Sequence, residues 1–399
     1  DQYQSQLIDF AFYGAYYFGA LALFIYATIR KQDLVASWGY KRSIVYGLAF
    51  SALGAIAMII AVQANSFGGM LGGFFMVALG FSLQQTAANP FAISLGDPAT
   101  GSNRINLGGS INSFGTFIGP IVVALALFGV TKASDEQVIH LSLSKVTILY
   151  SFVCALFIGA AALFFFSRRV PDAHSHETVE PAAKARNILM GMTLILIAVF
   201  IPVFLSYKEN PQDDLLKKAL EITRMRWLLV GLIVVLVTLL YAFLQARRKP
   251  EGWGAMRYPQ LVLGMLAIFV YVGVEVAIGS NLSELLKQPA FGGYDASRAA
   301  PFVSMYWGSL MIGRWAGAIN VFKPGASLKN MLLLLIPLIA FGVVIGINTI
   351  AQSDMHPLYG YIVCVFVQIG AFFLTQDKPA RTLLLFSVLG VLAMLTGLL

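Results

Sequence analysis

Charged residues are scarce in this chain. Only 12% of its 399 residues are Asp, Glu, Lys or Arg, while 58% are hydrophobic. A soluble domain carries about 25% charged residues, so this shortage excludes a protein whose surface mostly faces water. The net charge of +8 comes from basic residues scattered over many separate segments, which does not favour a nucleic-acid-binding surface.

Cysteines and the signatures of enzymes are also scarce. Cys154 and Cys364 lie in separate apolar runs, without the spacing of a metal or redox site. His174 and His176 form a close pair beside acidic residues, a pattern more typical of a solvated loop than of a metal site. The chain has no phosphate-binding loop, zinc-protease motif or serine-hydrolase motif. The sequence therefore predicts neither an enzyme nor a metal site or organic cofactor.

Long apolar runs make up most of the chain. Crossing a hydrocarbon core takes about 20 residues, and none of the runs has the alternation of an outer-membrane barrel. The sequence therefore predicts an all-α integral membrane protein with about twelve transmembrane helices in this chain. The runs are 7–29, 43–63, 67–95, 105–130, 146–166, 187–207, 227–246, 258–286, 301–322, 330–350, 358–375 and 382–399.

The loops between these runs differ in positive charge. Seventeen Lys and Arg residues fall in one alternate set of loops and nine in the other. Cytoplasmic loops carry the excess, so the richer set is predicted to be cytoplasmic and residues 1–6 to begin outside. Of two polar stretches, 167–186 is predicted to be a cytoplasmic linker, and 212–224 a short amphipathic helix at the outer interface.

The run 67–95 carries polar side chains that a lipid-facing helix does not need. Gln85 and Asn89 are four residues apart and share one helix face. Pro90 removes a backbone donor and is predicted to bend the helix, and broken helices in carriers often border the binding cavity. The two amides either line a cavity or hold neighbouring helices together, and the proline favours the cavity.

The run 105–130 carries a stripe of small residues. Gly108, Asn112, Gly115 and Gly119 follow one another at spacings of four, three and four. Small residues let two helix backbones approach closely, so the glycines are predicted to be structural. Asn112 is either a contact between helices or a ligand for hydroxyl groups, and spacing alone does not separate the two.

Glu275 is the one acidic residue well inside an apolar run. A charge at that depth costs about 2.5–3.5 kcal/mol on insertion scales, so the carboxyl either takes up a proton or finds a partner. Tyr271 and Gly279 lie four residues to either side, which predicts a partner and room for a ligand. A functional carboxyl is favoured over a structural one bonded to another helix. Arg314, near the end of the run 301–322, is predicted to be satisfied at the interface or to form a gate.

Residues 80–115 read GFSLQQTAANPFAISLGDPATGSNRINLGGSINSFG. This stretch resembles the fucose–proton symporter family of the major facilitator superfamily, in which TAANPF lies on the fourth helix and NSFG on the fifth. Supporting matches are FAFYGAYY at 10–17, GYKRS at 39–43, YVGVEVAIGS at 271–280 and GRWAGA at 313–318. The last two are most similar to the glucose/galactose branch of the family.

The resemblance implies two six-helix bundles around a central sugar site, with alternating access driven by proton symport. It predicts an N-terminal bundle over 1–167 without the family's first helix, and a linker with an extra helix pair over 168–257. It predicts an incomplete C-terminal bundle over 258–399, with a possible second extra pair at 330–375. The first helix and about three final helices of the family are therefore expected to lie outside the chain.

The resemblance and the polar residues together predict the site. In the fucose carrier a glutamate that takes part in proton-linked sugar recognition precedes TAANPF, whereas this chain has Gln85, which cannot titrate. Either Glu275 has taken over the proton, or it binds only sugar hydroxyls and the coupling acid lies on the first helix. The predicted substrate-binding residues are Gln85, Asn89, Asn112, Tyr271, Glu275 and Trp307, with Glu275 as the proton-coupling candidate and with Arg104, Arg314 and Pro90 as gating or structural residues.

The predicted function is secondary active transport of a monosaccharide, a hexose or deoxyhexose, across the bacterial inner membrane. The proton gradient is the predicted energy source, and the predicted partners are the sugar, the proton and the lipid bilayer, with no nucleic acid. Two alternatives stay open. The first is a transporter-like sugar sensor or facilitator without ion coupling, and the second is a membrane enzyme acting on lipid-linked substrates.

Overall fold

Long helices make up the described part of the chain. The computed structural model describes residues 2–131, 136–137, 140–172, 179–209, 213–376 and 378–396. Within these ranges each of the twelve predicted runs coincides with a helix. The helices are α1 Gln2–Arg30, α2 Tyr40–Gln63, α3 Phe67–Ser94, α4 Gly101–Phe128, α5 Leu143–Phe166, α6 Ala183–Ser206, α7 Asp214–Arg248, α8 Pro259–Lys287, α9 Ala296–Ala318, α10 Ala326–Ile350, α11 Ile362–Thr375 and α12 Pro379–Thr396.

Ten of these helices are long and apolar enough to cross a membrane, counted over the described residues and with α11 extended back to His356 by the short helix that precedes it. The two that fall short are α9, which carries many polar side chains, and α12, whose apolar part is Pro379–Leu392. In the hydrocarbon core a helix pairs its own backbone groups where water is absent, which explains why apolar runs fold this way. The chain is a multi-pass membrane protein, and the count of about twelve spans stays a prediction.

The described helices group into two compact units. The first comprises residues 1–91 and 146–274, and the second comprises 92–145 and 275–399. The division into 1–167, 168–257 and 258–399 follows from the resemblance to a family and does not refer to these compact units. It stays a prediction.

Within the first unit, α2 and α3 approach each other through glycines. A β-carbon added to Gly54 would lie 2.5 Å from the backbone nitrogen of Val77, and one added to Gly73 would lie 2.7 Å from that of Met58. Ser51 adds a side-chain bond, because its hydroxyl donates to the carbonyl of Val77 over 3.0 Å. Small residues here allow backbone contact between two membrane helices.

The glycine stripe predicted to serve this purpose on α4 does not do so. A β-carbon on Gly108, Gly115 or Gly119 would meet no atom within 4 Å, so no neighbour in the described residues uses the space. The contact face of α4 instead carries Ser110 and Ser113, which are buried. The prediction failed because the spacing of small residues does not reveal which helix face meets a partner.

In the first unit α6 and α7 form a hairpin whose base is closed by backbone hydrogen bonds. The nitrogen of Lys184 donates to the carbonyl of Gly252 over 2.9 Å, and that of Gly254 donates to Pro181 over 3.1 Å. Trp253 is buried beside these bonds. This hairpin occupies the region where the sequence predicted an additional helix pair.

The predicted short amphipathic helix at 212–224 is not separate. It forms the first turns of α7, whose N-terminus is capped by the carboxylate of Asp213 accepting from the nitrogen of Leu215 at 2.9 Å. No glycine or proline interrupts the sequence between Asp214 and Trp227, so nothing ends the helix before its apolar part begins. On the other side of the hairpin, the predicted linker at 167–186 already becomes helical at Ala183.

Candidate functional site

A pair of opposite charges lies between two long helices of the second unit. The carboxylate of Glu275, in the middle of α8, lies 3.5 Å from the guanidinium of Arg314 on α9, measured from Oε1 to Nη2. Their side chains are 13% and 27% exposed. Arg314 is therefore the partner of Glu275. Its positive charge offsets the free-energy cost of placing a carboxylate inside an apolar helix.

A serine on a third helix completes this cluster. Nη1 of Arg314 donates to the hydroxyl of Ser113 on α4 over 2.7 Å, and Ser113 is almost fully buried. The arginine side chain passes over Gly109, where an added β-carbon would lie 3.5 Å from its Cδ. Arg314 thus joins α4, α8 and α9, and the prediction that it is satisfied at the interface or forms a gate stays a prediction.

The turn of α8 that carries Glu275 is held against α9 by two aromatic residues. The hydroxyl of Tyr306 donates to the main-chain carbonyl of Glu275 over 2.8 Å. The indole of Trp307 fills the space at Gly279, where an added β-carbon would lie 2.5 Å from Cζ2. The room predicted for a ligand at Gly279 is therefore taken by Trp307, which is half-buried.

The rest of the GRWAG stretch is explained by packing within the same unit. The indole nitrogen of Trp315 donates to the carbonyl of Ser110 over 3.4 Å. A β-carbon on Gly313 would lie 2.9 Å from the amide nitrogen of Gln368, and one on Gly317 would lie 3.3 Å from that of Asn106. The glycines of this stretch let α9 contact α11 and α4. Arg314 is the residue of the stretch that carries a charge.

The predicted amides of α3 lie on an exposed face of the first unit. Gln85, Asn89 and Pro90 are all exposed, and neither amide bonds to another side chain within the described part of the chain. The neighbouring Gln84 differs, because its amide donates to the hydroxyl of Ser51 on α2 over 3.1 Å. Gln84 therefore holds two helices together, while the role of Gln85 and Asn89 as sugar ligands stays a prediction.

Two further predicted ligands are exposed as well. Asn112 precedes the buried Ser113 on α4, and its side chain is exposed. Its main-chain carbonyl accepts a hydrogen bond from the hydroxyl of Thr116, one turn later. Tyr271 on α8 is 48% exposed. The role of each as a sugar ligand stays a prediction.

Arg104 has the geometry of a structural residue. Its guanidinium donates to the carbonyls of Ala92, Ile93 and Asp97 over 2.7, 2.6 and 2.9 Å, and to the hydroxyl of Thr100 over 2.8 Å. The last carbonyls of a helix lack intrahelical partners, so Arg104 satisfies those at the end of α3 and fixes the turn into α4. Pro90 lies inside α3, which continues to Ser94.

Sequence reasoning missed Ser110, Ser113 and Tyr306, which hold the cluster together. A serine in a membrane helix carries little information alone, and only the packing of α9 against α4 and α8 gives these hydroxyls and carbonyls a role. No group of His, Cys, Asp and Glu that could hold a metal ion occurs among the described residues. His174 and His176 lie outside the described residues.

The chain is similar to several sugar transporters. It is 28% identical to the glucose/galactose transporter of Brucella abortus over 315 residues, which cover 79% of this chain and 57% of that protein. It is 28% identical to the putative glucose/galactose transporter of Helicobacter pylori over 346 residues, or 86% of this chain and 66% of that protein. The chain thus spans less than two thirds of the length of these relatives. No family model matches it.

A shorter similarity extends to the L-fucose-proton symporter of Escherichia coli, with 38% identity over 116 residues, 29% of this chain and 25% of that protein. Among solved structures, the crystal structure of the E. coli fucose:proton symporter matches with a TM-score of 0.47 and 20% identity, covering 99% of this chain and 85% of that one. The relatives are named as transporters, which agrees with the lack of an enzyme signature. The resemblance to fucose–proton symporters and glucose/galactose transporters that the motifs indicated is confirmed by these relatives.

Proposed function

We propose that the protein carries a monosaccharide, a hexose or deoxyhexose, across the bacterial inner membrane by proton symport. The observation that supports this most strongly is the cluster of Glu275, Arg314 and Ser113 inside the apolar part of the second unit. Ionisable residues at that depth are rare and mark pathways for substrates and ions. The names of the relatives, glucose/galactose transporter and L-fucose-proton symporter, suggest the class of solute.

In this proposal the cluster binds sugar hydroxyls directly. The carboxylate of Glu275 accepts hydrogen bonds from hydroxyl groups, and the guanidinium of Arg314 donates to them. Hydrogen bonds to charged groups are roughly twice as strong as neutral ones, so two charges suffice to orient a small polar ligand. The indole of Trp307, held one turn from Glu275 by Gly279, offers an apolar surface for the ring carbons of the sugar.

The amides of α3, on the first unit, are proposed as separate candidate ligands. An amide both donates and accepts hydrogen bonds, and a sugar hydroxyl does the same. Gln85 and Asn89 are exposed and without a side-chain partner in the described ranges, so their hydrogen-bonding capacity is not consumed by packing. Asn112 and Tyr271 are exposed too and are proposed as further contacts.

The proton step is assigned to Glu275. A proton on its carboxyl removes the negative charge and with it the attraction to Arg314 at 3.5 Å. Arg314 keeps its bond to Ser113, so α9 stays attached to α4 while its electrostatic link to α8 is lost. A change of this kind biases two arrangements of the helices, which a carrier with alternating access requires.

The ion pair also supports an alternative, a facilitator that moves sugar without a proton. Arg314 already provides the Glu275 carboxylate with a positively charged partner at 3.5 Å, and the resemblance puts Gln85 at the position of a glutamate in the fucose carrier. In that case Glu275 only binds hydroxyls. The two functions differ in accumulation against a gradient, which a facilitator does not produce.

The test is Glu275→Gln in reconstituted vesicles, with sugar-for-sugar exchange and pH-driven uptake measured on the same preparation. Glutamine keeps the size and hydrogen bonding of the side chain but exchanges no proton. Loss of pH-driven accumulation with persistent exchange supports symport, because exchange needs no net proton release. A parallel weakening of both supports hydroxyl binding alone, and normal accumulation by the variant removes Glu275 from the mechanism.

A further inference from the structure

An apolar groove opens beside α4, α9 and α10 in the second unit. It has a volume of 370 Å³ and is lined by Ile111 and Phe114 of α4, Trp315 of α9, Phe322 just after α9, and Ile336 of α10. That volume falls within the range of about 300–1,000 Å³ of small-molecule sites. The surface of the groove is almost entirely apolar, so a sugar is not its ligand.

Two exposed apolar side chains stand at the rim of the groove. Ile111 and Phe322 are each 69% exposed, as side chains that face lipid are. Phe322 ends the short helical turn Ile319–Phe322 that follows α9, and the loop from Lys323 to Gly325 leads directly into α10. One end of the groove therefore lies at a helix–loop junction, and such junctions are where a membrane helix is expected to meet the lipid headgroups.

Two lysines stand at this junction. Lys323 is exposed and directly follows the groove residue Phe322, and Lys329 lies one helical turn before the groove residue Leu332. Lys323 also adopts a left-handed conformation, with φ of 47°, where glycine or asparagine is usual. The two lysines therefore place positive charge within three residues of the groove lining.

We propose that this groove binds an anionic phospholipid, with one acyl chain along the apolar wall and the phosphate at Lys323 and Lys329. Both lysines belong to the loops predicted to be cytoplasmic, and the cytoplasmic leaflet carries the anionic lipids. The occupant is inferred from two features: lysines that adjoin the groove lining in the chain, which favour a negatively charged headgroup, and an apolar wall of ligand size, which favours an acyl chain. The site is separate from the Glu275 cluster and does not depend on the proposed transport function.

Trp315 provides the reporter, because its indole lines the groove. The protein is reconstituted in phosphatidylcholine vesicles that contain a fraction of phosphatidylglycerol with brominated acyl chains, and bromine quenches an indole in contact with it. The difference between the wild type and Trp315→Phe isolates the signal of this residue. Brominated phosphatidylcholine at the same fraction is the control for acyl chains without a negative headgroup.

Trp315 is expected to be quenched at lower fractions of brominated phosphatidylglycerol than of brominated phosphatidylcholine. Removing a lysine by Lys323→Gln or Lys329→Gln is expected to weaken this preference about fivefold for each lysine. Lys378→Gln is the matched control, since Lys378 lies in a predicted cytoplasmic loop but adjoins no groove residue. It is expected to leave the preference unchanged.

Filling the groove gives an independent check. Ile336→Phe adds volume to the wall and is expected to reduce quenching by both lipids without changing the near-ultraviolet circular dichroism of the fold. Equal quenching by the two lipids in the wild type would overturn the anionic site, and absent quenching would mean that another occupant covers the groove. Equal effects of Lys378→Gln and Lys323→Gln would show a general surface charge instead of a site.

Discussion

Trp307 lies in the space that the missing side chain of Gly279 leaves on α8, and a β-carbon there would come within 2.5 Å of its ring. Contacts that short do not occur between real side chains, so the glycine is required by its neighbour. The same turn of α8 carries Glu275, whose carbonyl accepts the hydroxyl of Tyr306. The position of the acid in the membrane therefore depends on how closely α8 and α9 approach.

Gly279→Ala is expected to push Trp307 out of its place and to separate the two helices. Overpacking of this kind costs about 1–3 kcal/mol, which is measured as a lower midpoint of thermal unfolding in detergent. Gly273→Ala is the matched control, because it lies on the same helix and its β-carbon would meet no atom within 4 Å. Equal effects of the two substitutions would contradict the role assigned to Trp307.

The ion pair between Glu275 and Arg314 predicts a coupled effect on stability. Glu275→Gln leaves Arg314 with less compensation at membrane depth, and Arg314→Gln leaves the carboxylate uncompensated, so both single variants are expected to be destabilised. The double variant is expected to be more stable than the sum of the two effects predicts, by about 0.5–3 kcal/mol. The measurement is the free energy of unfolding of all four proteins.

A second ion pair on α8 serves as the control for this comparison of single and double variants. The carboxylate of Glu284 lies 3.0 Å from the ammonium of Lys287, but these side chains are 70% and 37% exposed. Exposed pairs contribute about 0.2–1 kcal/mol, so Glu284→Gln is expected to change stability little. A coupling energy near zero for Glu275 and Arg314 would mean that the two charges do not interact in the folded protein.

The sequence was sufficient to predict the helices and to single out Glu275, for one physical reason. Apolar runs and an isolated charge within one are local signals, because the membrane interior sets their cost residue by residue. The partner of the charge is not local. Arg314 lies 39 residues away, and its role depends on the direction in which α9 presents it to α4 and α8.

The glycines also show that a local sequence pattern does not predict which residues meet in the fold. The stripe on α4 has the spacing of a helix contact yet meets nothing within 4 Å, whereas Gly54 and Gly73, which no stripe singled out, allow α2 and α3 to touch. Spacing indicates which residues share a face, and the packing of the whole unit decides whether that face is covered. The continuous helix α7 adds a further case, since polar composition alone does not end a helix.

The three amides of α3 give the last prediction, because their surroundings differ while their chemistry is the same. Gln84 donates to Ser51 on α2, so Gln84→Ala is expected to destabilise the protein by about 1–2 kcal/mol through the lost bond and the contact it closes. Gln85 and Asn89 are exposed on the same helix, and their replacement by alanine is expected to change stability by no more than about 0.5 kcal/mol.

If Gln85 and Asn89 bind the sugar, each replacement is also expected to raise the KM for transport about three- to tenfold, which corresponds to the free energy of one hydrogen bond. Thermal unfolding and uptake kinetics on the three variants separate the readings. Destabilisation by all three variants would make Gln85 and Asn89 contacts between helices, and unchanged stability with unchanged KM would place their amides outside the path of the solute.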